Sequence, residues 1–185
     1  MLLLQKCTCQ DLDMQDYFDQ VRKAASSELY YLALAGALVI PDICSGMDSD
    51  DGKTNGVKYI AWVNKYLSGK FTAGADHTPN FSGEDCWGIR CGLLHQGRLE
   101  PHKGKYSRVL FLEPGKNGGI TMHNNVINDA LNIDLPTFVL TMVETAEEWL
   151  SEVKDTDKFK ANHKHFMQRY PNGLQPYISG IPLIA

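Results

Sequence analysis

Residues 29–40, LYYLALAGALVI, form a run of twelve residues without a single charge. A membrane-crossing helix needs about 20 such residues, so a run of this length fits a helix enclosed by protein. It is expected to be surrounded on all sides by other elements, and that requirement organises the rest of the chain. Pro41 lacks a backbone donor and biases Ile40 away from the helical region, so the helix is expected to stop there. Residues 42–56, DICSGMDSDDGKTNG, then read as a polar loop.

The elements able to enclose this helix follow from spacing. Met14, Tyr17, Phe18, Val21, Ala24 and Ala25 recur at three- and four-residue steps and predict an amphipathic helix ahead of it. Asn55 suits the cap of a further helix carrying Val57, Ile60, Ala61 and Leu67, broadened by Trp62, Val63 and Tyr66. Ser82 and Asp85 have the spacing of a capping box, Glu84 and Asp85 suit the positive end of a helix dipole, and Gly97 fits a left-handed stop. DCWGIRCGLLHQ is therefore predicted helical, with Gly88 and Gly92 leaving room for a neighbouring helix. Segments 106–113 and 119–127 read as strands joined by a turn at Pro114–Gly118. Asp134 and Pro136 open a long amphipathic helix, a shorter one spans about 157–169, and the tail from Pro171 is expected to be irregular. The sum is a mainly α fold: a four- to five-helix bundle with a small β-hairpin insertion at about 106–127, in one domain over residues 1–185.

Composition narrows the function. The 185 residues are 43% hydrophobic and 22% charged, which excludes a disordered or fibrous chain. The net charge of −4 excludes a broadly basic, nucleic-acid-coating surface, so any contact with nucleic acid must be local. Cys7, Cys9, Cys44, Cys86 and Cys91 contain no C-x-x-C pair and are expected to be free thiols. The start, MLLLQK, is too short for a secretory leader, and a cytoplasmic protein with no membrane association is expected.

Several apparent motifs do not hold. Gly46 and Gly52, before Lys53-Thr54, have five residues between them where a P-loop has four, and three aspartates in that stretch oppose a triphosphate. An EF-hand frame starting at Asp48 places Gly52 at the fifth position and Tyr59 where the closing glutamate belongs. His163 and His165 fall on different helix faces. No metal and no cofactor are expected. Trp62, Tyr66 and Trp87 read first as core, with a small-molecule or nucleotide pocket between helices, stacked by these rings, as the weaker alternative.

One constellation carries pointed chemistry: Arg90-Cys91-Gly92-Leu93-Leu94-His95. Five helical steps leave the two Cα vectors about 140° apart, so the length of arginine must bring the groups together. Histidine moves protons near neutral pH, and arginine offers a permanent planar cation matched to phosphate oxygens. Together they can cleave RNA without metal. Arg98, His102, Lys103 and Lys105 follow as a cationic strip for a phosphate backbone. The alternative is that Arg90 pairs with a carboxylate and His95 fills a polar niche.

The segment IRCGLLHQG, with its R-x4-H spacing late in a bundle helix, resembles the signature of the HEPN superfamily and uncharacterised bacterial members of it. The resemblance implies a helical bundle that often dimerises across a composite cleft. It also implies an RNA-acting domain, in many members a metal-independent endoribonuclease of toxin or phage-defence type, with an antitoxin or other protein as a further partner. By that resemblance Arg90 and His95 occupy the catalytic positions. Cys91 stands where active members commonly carry Asn, Asp or His. Other members are non-catalytic interaction or scaffolding modules, and in that case Arg90 and His95 would be structural.

Overall fold

The computed structural model describes residues 9–73, 78–79, 81–99, 105–115 and 122–185. The fold is mainly α, with six helices among the described residues. Helix α1 (Cys9–Ser26) turns at residues 27–29 into α2 (Tyr30–Met47), which carries the apolar run. Pro41 does not end α2: it lies buried inside, and the helix continues for six more residues. A proline there leaves the Ala37 carbonyl without its helical donor. Hydroxyls from neighbouring helices bind the carbonyls on either side of it, Tyr17 Oη donating to Gly36 O at 2.9 Å and Tyr59 Oη to Leu38 O at 3.0 Å. Burial of Leu38, Ile40 and Cys44 offsets the lost bond. By length and composition α2 could cross a membrane, yet 56% of it is buried inside the fold. It is not enclosed on all sides, because Tyr31 and Leu32 in its first turn are exposed.

Helix α3 (Gly56–Tyr66) starts where expected, with Lys58 N donating to Asn55 Oδ1 at 3.0 Å. A 3-10 turn at Ser68–Lys70 and the short antiparallel pair β1 (Thr72–Ala73) and β2 (Thr78–Pro79) lead to α4 (Gly83–Gln96). The capping box is complete: Asp85 N donates to Ser82 Oγ and Ser82 N donates to Asp85 Oδ2. Gly97 closes α4 in the left-handed conformation, φ 66°. The close approach between helices falls at Gly83, where a Cβ would lie 2.6 Å from the Ile60 carbonyl of α3. At Gly92 the crowding atom is the carbonyl of Arg98, where the chain folds back past the helix end.

The insertion differs from the expected hairpin. Strands β3 (Arg108–Leu112), β4 (Asn125–Ile127) and β5 (Ala130–Asp134) form one sheet in the order β3-β5-β4. Strand β3 runs parallel to β5, with Val109 opposite Leu131, and β4 runs antiparallel to β5. Part of the expected second strand, residues 119–121, lies outside the described residues. The tight hairpin is β4–β5, turned by Asn128 and Asp129 at φ 50° and 61°. Two successive left-handed residues suit the twist of a two-residue hairpin, and Asn and Asp tolerate that conformation. Strand β5 is central because it pairs with both others, and its Leu131 and Ile133 are fully buried.

Asp134 ends β5 and caps α5 (Leu135–Val153), accepting from Thr137 N at 3.0 Å. Helix α6 (Asp157–His163) stops six residues earlier than expected. The tail is ordered as nested pairs: β6 (Arg169–Tyr170) with β9 (Leu183–Ile184) encloses β7 (Gly173–Leu174) with β8 (Ile178–Ser179). Phe71, Phe81 and Phe111 gather around Phe138 of α5 with ring centroids 5.1–5.8 Å away, tying sheet and loops to the bundle.

His123 packs tilted against Phe71, with ring centroids 5.6 Å apart, and Asp134 N donates to its Nδ1 at 3.2 Å. Burial lowers its pKa below the ordinary 6.5, outweighing the Asp134 charge. The unfolded chain therefore binds this proton more readily than the fold does. Stability from this site is full above about pH 6.5 and falls as pH drops through the lower folded value. Denaturant titrations across pH 5–7 should show this loss, and His123→Asn, which keeps an acceptor without a titrating proton, should flatten it. Gly83→Ala should lower stability by about 1–3 kcal/mol in the same titrations, since the added methyl meets backbone.

Candidate functional site

Helix α4 presents Arg90 toward α2. The turn of α2 after Pro41 presents Asp42, and Arg90 Nε donates to Asp42 Oδ2 at 2.7 Å. Both side chains are largely buried, at 18% and 12% exposure. Burial pushes the Asp42 carboxyl above its ordinary pKa, and the Arg90 guanidinium pulls it partly back. Burial also works against the Arg90 charge, but the Asp42 bond, with a contribution from Cys91, leaves the Arg90 pKa raised. The second Asp42 oxygen is buried and accepts no hydrogen bond among the described residues.

The same guanidinium reaches along its own helix. Arg90 Nη1 lies 3.0 Å from His95 Nε2, and His95 is exposed. The two groups thus meet despite diverging Cα vectors, through the length of arginine. A guanidinium only donates, so Nε2 is the acceptor in this contact and the imidazole proton sits on Nδ1. Beneath Arg90 lies Trp87, its ring centroid 5.1 Å from Cζ. Trp87 is held in turn by Tyr59, at 5.1 Å between ring centroids, and by close contact with Gly56. Carboxylate, aromatic face and imidazole hold the guanidinium from three sides.

The two neighbouring cysteines differ in burial. Cys86 is fully buried with its Sγ 3.2 Å from Tyr59 Oη, and burial pushes its pKa up to about 12, which keeps it a thiol. Cys91 is half-buried.

Of the predicted strip, Arg98 follows Gly97 directly and is exposed, its backbone N–H closing the end of α4 on Gly92 O. Lys105 is exposed with Nζ 5.1 Å from the Tyr106 ring centroid. His102 and Lys103 lie outside the described residues. Asp42 is the member of the site that sequence reasoning missed, because the expected stop at Pro41 put it in a loop. One signal was present: Leu34, Leu38 and Asp42 stand at four-residue steps, and the two leucines are buried.

Compared with known proteins, the chain matches no family model, no curated protein and no solved structure.

Asp42→Ala should cost about 2–3 kcal/mol in chemical denaturation, because it strands a largely buried cation. The double variant Asp42→Ala/Arg90→Leu should recover part of that loss. Additive losses would show that the two side chains do not act as a pair.

Proposed function

We propose that this chain is an RNA-acting domain of HEPN type that cleaves RNA without metal, with Arg90 and His95 as its reacting groups. The observation that carries this reading is the exposed imidazole held 3.0 Å from a guanidinium that Asp42 fixes from behind. Cleavage would proceed by attack of a ribose 2′-oxygen on the adjacent phosphorus, with loss of the 5′-oxygen and formation of a 2′,3′-cyclic phosphate. His95 would take the 2′-hydroxyl proton through Nε2 once the phosphate draws Arg90 away, or protonate the leaving oxygen. Arg90 has five donors, and its bonds to Asp42 and His95 leave capacity for phosphoryl oxygens, where charge accumulates. Arg98 and Lys105, with His102 and Lys103, would hold the strand beyond the break. A homodimer would place two such pairs across one cleft, and a cytoplasmic antitoxin or other protein would regulate it.

A second reading follows from the burial of the Asp42–Arg90 pair. In it the chain is a non-catalytic interaction module, with Arg90 structural. The two readings part on His95, which is exposed and bonded to Arg90.

Incubation of the purified chain with a broad RNA panel in EDTA should give slow cleavage with cyclic-phosphate ends. His95→Ala should reduce the rate about 100-fold or more with unchanged melting, as loss of a general acid–base does. Intact RNA throughout the panel would overturn the enzymatic reading and leave the interaction module.

A further inference from the structure

Away from Arg90, the end of α2, the face of α3 and the start of α6 enclose a cavity of about 440 Å³. This falls within the roughly 300–1,000 Å³ of small-molecule sites. Its rim is the acidic stretch that read as a solvated loop, and it is built rather than loose. Asn162 of α6 donates from Nδ2 to Met47 O at 2.9 Å and to Ser49 O at 2.8 Å. Buried Trp149 donates from Nε1 to Asp48 Oδ2 at 3.2 Å. Ser49, itself buried, ties back to Gly46 O and to Asp51. Three separate elements thus hold the rim in one shape before any ligand arrives, and a preorganised rim lowers the cost of binding.

The wall is aromatic and the rim is charged in balance. Trp62 and Tyr66 line the cavity with ring centroids 5.3 Å apart. Trp62 is 3% exposed, and its buried indole N–H has no hydrogen-bond partner among the described residues. An unmatched buried donor costs free energy and is met when a ligand or water supplies an acceptor. Asp51 pairs with Lys58 at 2.8 Å and Asp50 with Lys158 at 2.6 Å. Lys65, the third cation of the cavity, binds the Tyr66 hydroxyl at 2.6 Å and not a carboxylate. A polyphosphate would meet three carboxylates here. A flat ring bearing hydroxyl donors and one anionic group matches the aromatic wall, the carboxylate rim and Lys65, whose ammonium rests on Tyr66, 4.4 Å from its ring centroid, and pairs with no carboxylate among the described residues.

We propose that this cavity binds a purine nucleoside monophosphate, either free or as one unit of an RNA strand. Tyr66 stacks the base, the rim carboxylates accept from the ribose hydroxyls, and Lys65 meets the phosphate. Stacking on an aromatic face tolerates either purine. This site is independent of Arg90 and His95, and it stands whether or not the chain cleaves RNA.

The test is calorimetric titration of the full chain with AMP, adenosine, inorganic phosphate and a short oligoadenylate as separate probes. AMP should bind and raise the melting temperature. Tyr66→Ala should weaken AMP about tenfold while Tyr66→Phe retains it, and Lys65→Gln should weaken AMP about tenfold without changing adenosine. Ala61→Trp, which fills the cavity from an exposed position, should abolish binding, and His95→Ala should leave it unchanged. Binding of the oligomer without free AMP would assign the site to an RNA strand, and the reverse to a free nucleotide. Absence of binding by both at millimolar concentration would overturn the proposal. So would affinity unaffected by Ala61→Trp, or phosphate alone binding as tightly as AMP.

Discussion

The ion pair between Asp42 and Arg90 is the contact on which the arrangement of helices depends. Helix α2 runs through a proline and carries a carboxylate into the bundle, and an isolated buried carboxylate costs several kcal/mol. The helix can keep Cys44 and Met47 in the core only if Asp42 meets a cation there. Arg90 supplies it from α4, 48 residues further on. The capping box at Ser82 and the close approach at Gly83 bring α4 near enough for this to happen. The guanidinium that closes the fold is also the one that touches His95, so the packing contact and the candidate site share one side chain.

Legibility varied with how local the deciding interaction is. The ends of α3, α4 and α5 were readable because Asn55, Ser82 with Asp85, and Asp134 each act on a backbone group three residues away. Pro41 misled for the opposite reason: the burial of Leu38, Ile40 and Cys44 that offsets its lost bond depends on packing against other helices, two of which also place Tyr17 and Tyr59 on neighbouring carbonyls. The expected strands at 106–113 and 119–127 were visible as β-prone runs that contain β3 and β4, but a parallel partner 22 residues away leaves no turn signature. Asn128-Asp129 was the informative dipeptide, and the glycine-rich turn upstream drew attention from it. At the site, Arg90 and His95 were legible from spacing and chemistry. Asp42 depended on a helix boundary that was misplaced by six residues.

Aromatic side chains divide the labour along the same lines. Phe138, Phe71, Phe81 and Phe111 form an aromatic cluster whose work is packing. Trp87 combines roles, standing on Tyr59 and Gly56 with a cation on its other face. Trp62 meets Trp149 edge-on at 6.3 Å while also lining the cavity beside α3, so core and surface recess meet at one indole. The acidic loop after α2 owes its order to Asn162 and Trp149, residues more than 100 positions downstream, which is why it resembles a solvated loop when taken alone.

The strand order β3-β5-β4 carries a further meaning for how the chain is born. Strand β5 is the last of the three to leave the ribosome, and it is the partner of both others. Until it emerges, β3 and β4 have nothing in this sheet to pair with. Its final residue, Asp134, is also the cap of α5. Sheet and helix are therefore one event during translation: the moment that gives β3 its neighbour also begins the helix that covers it.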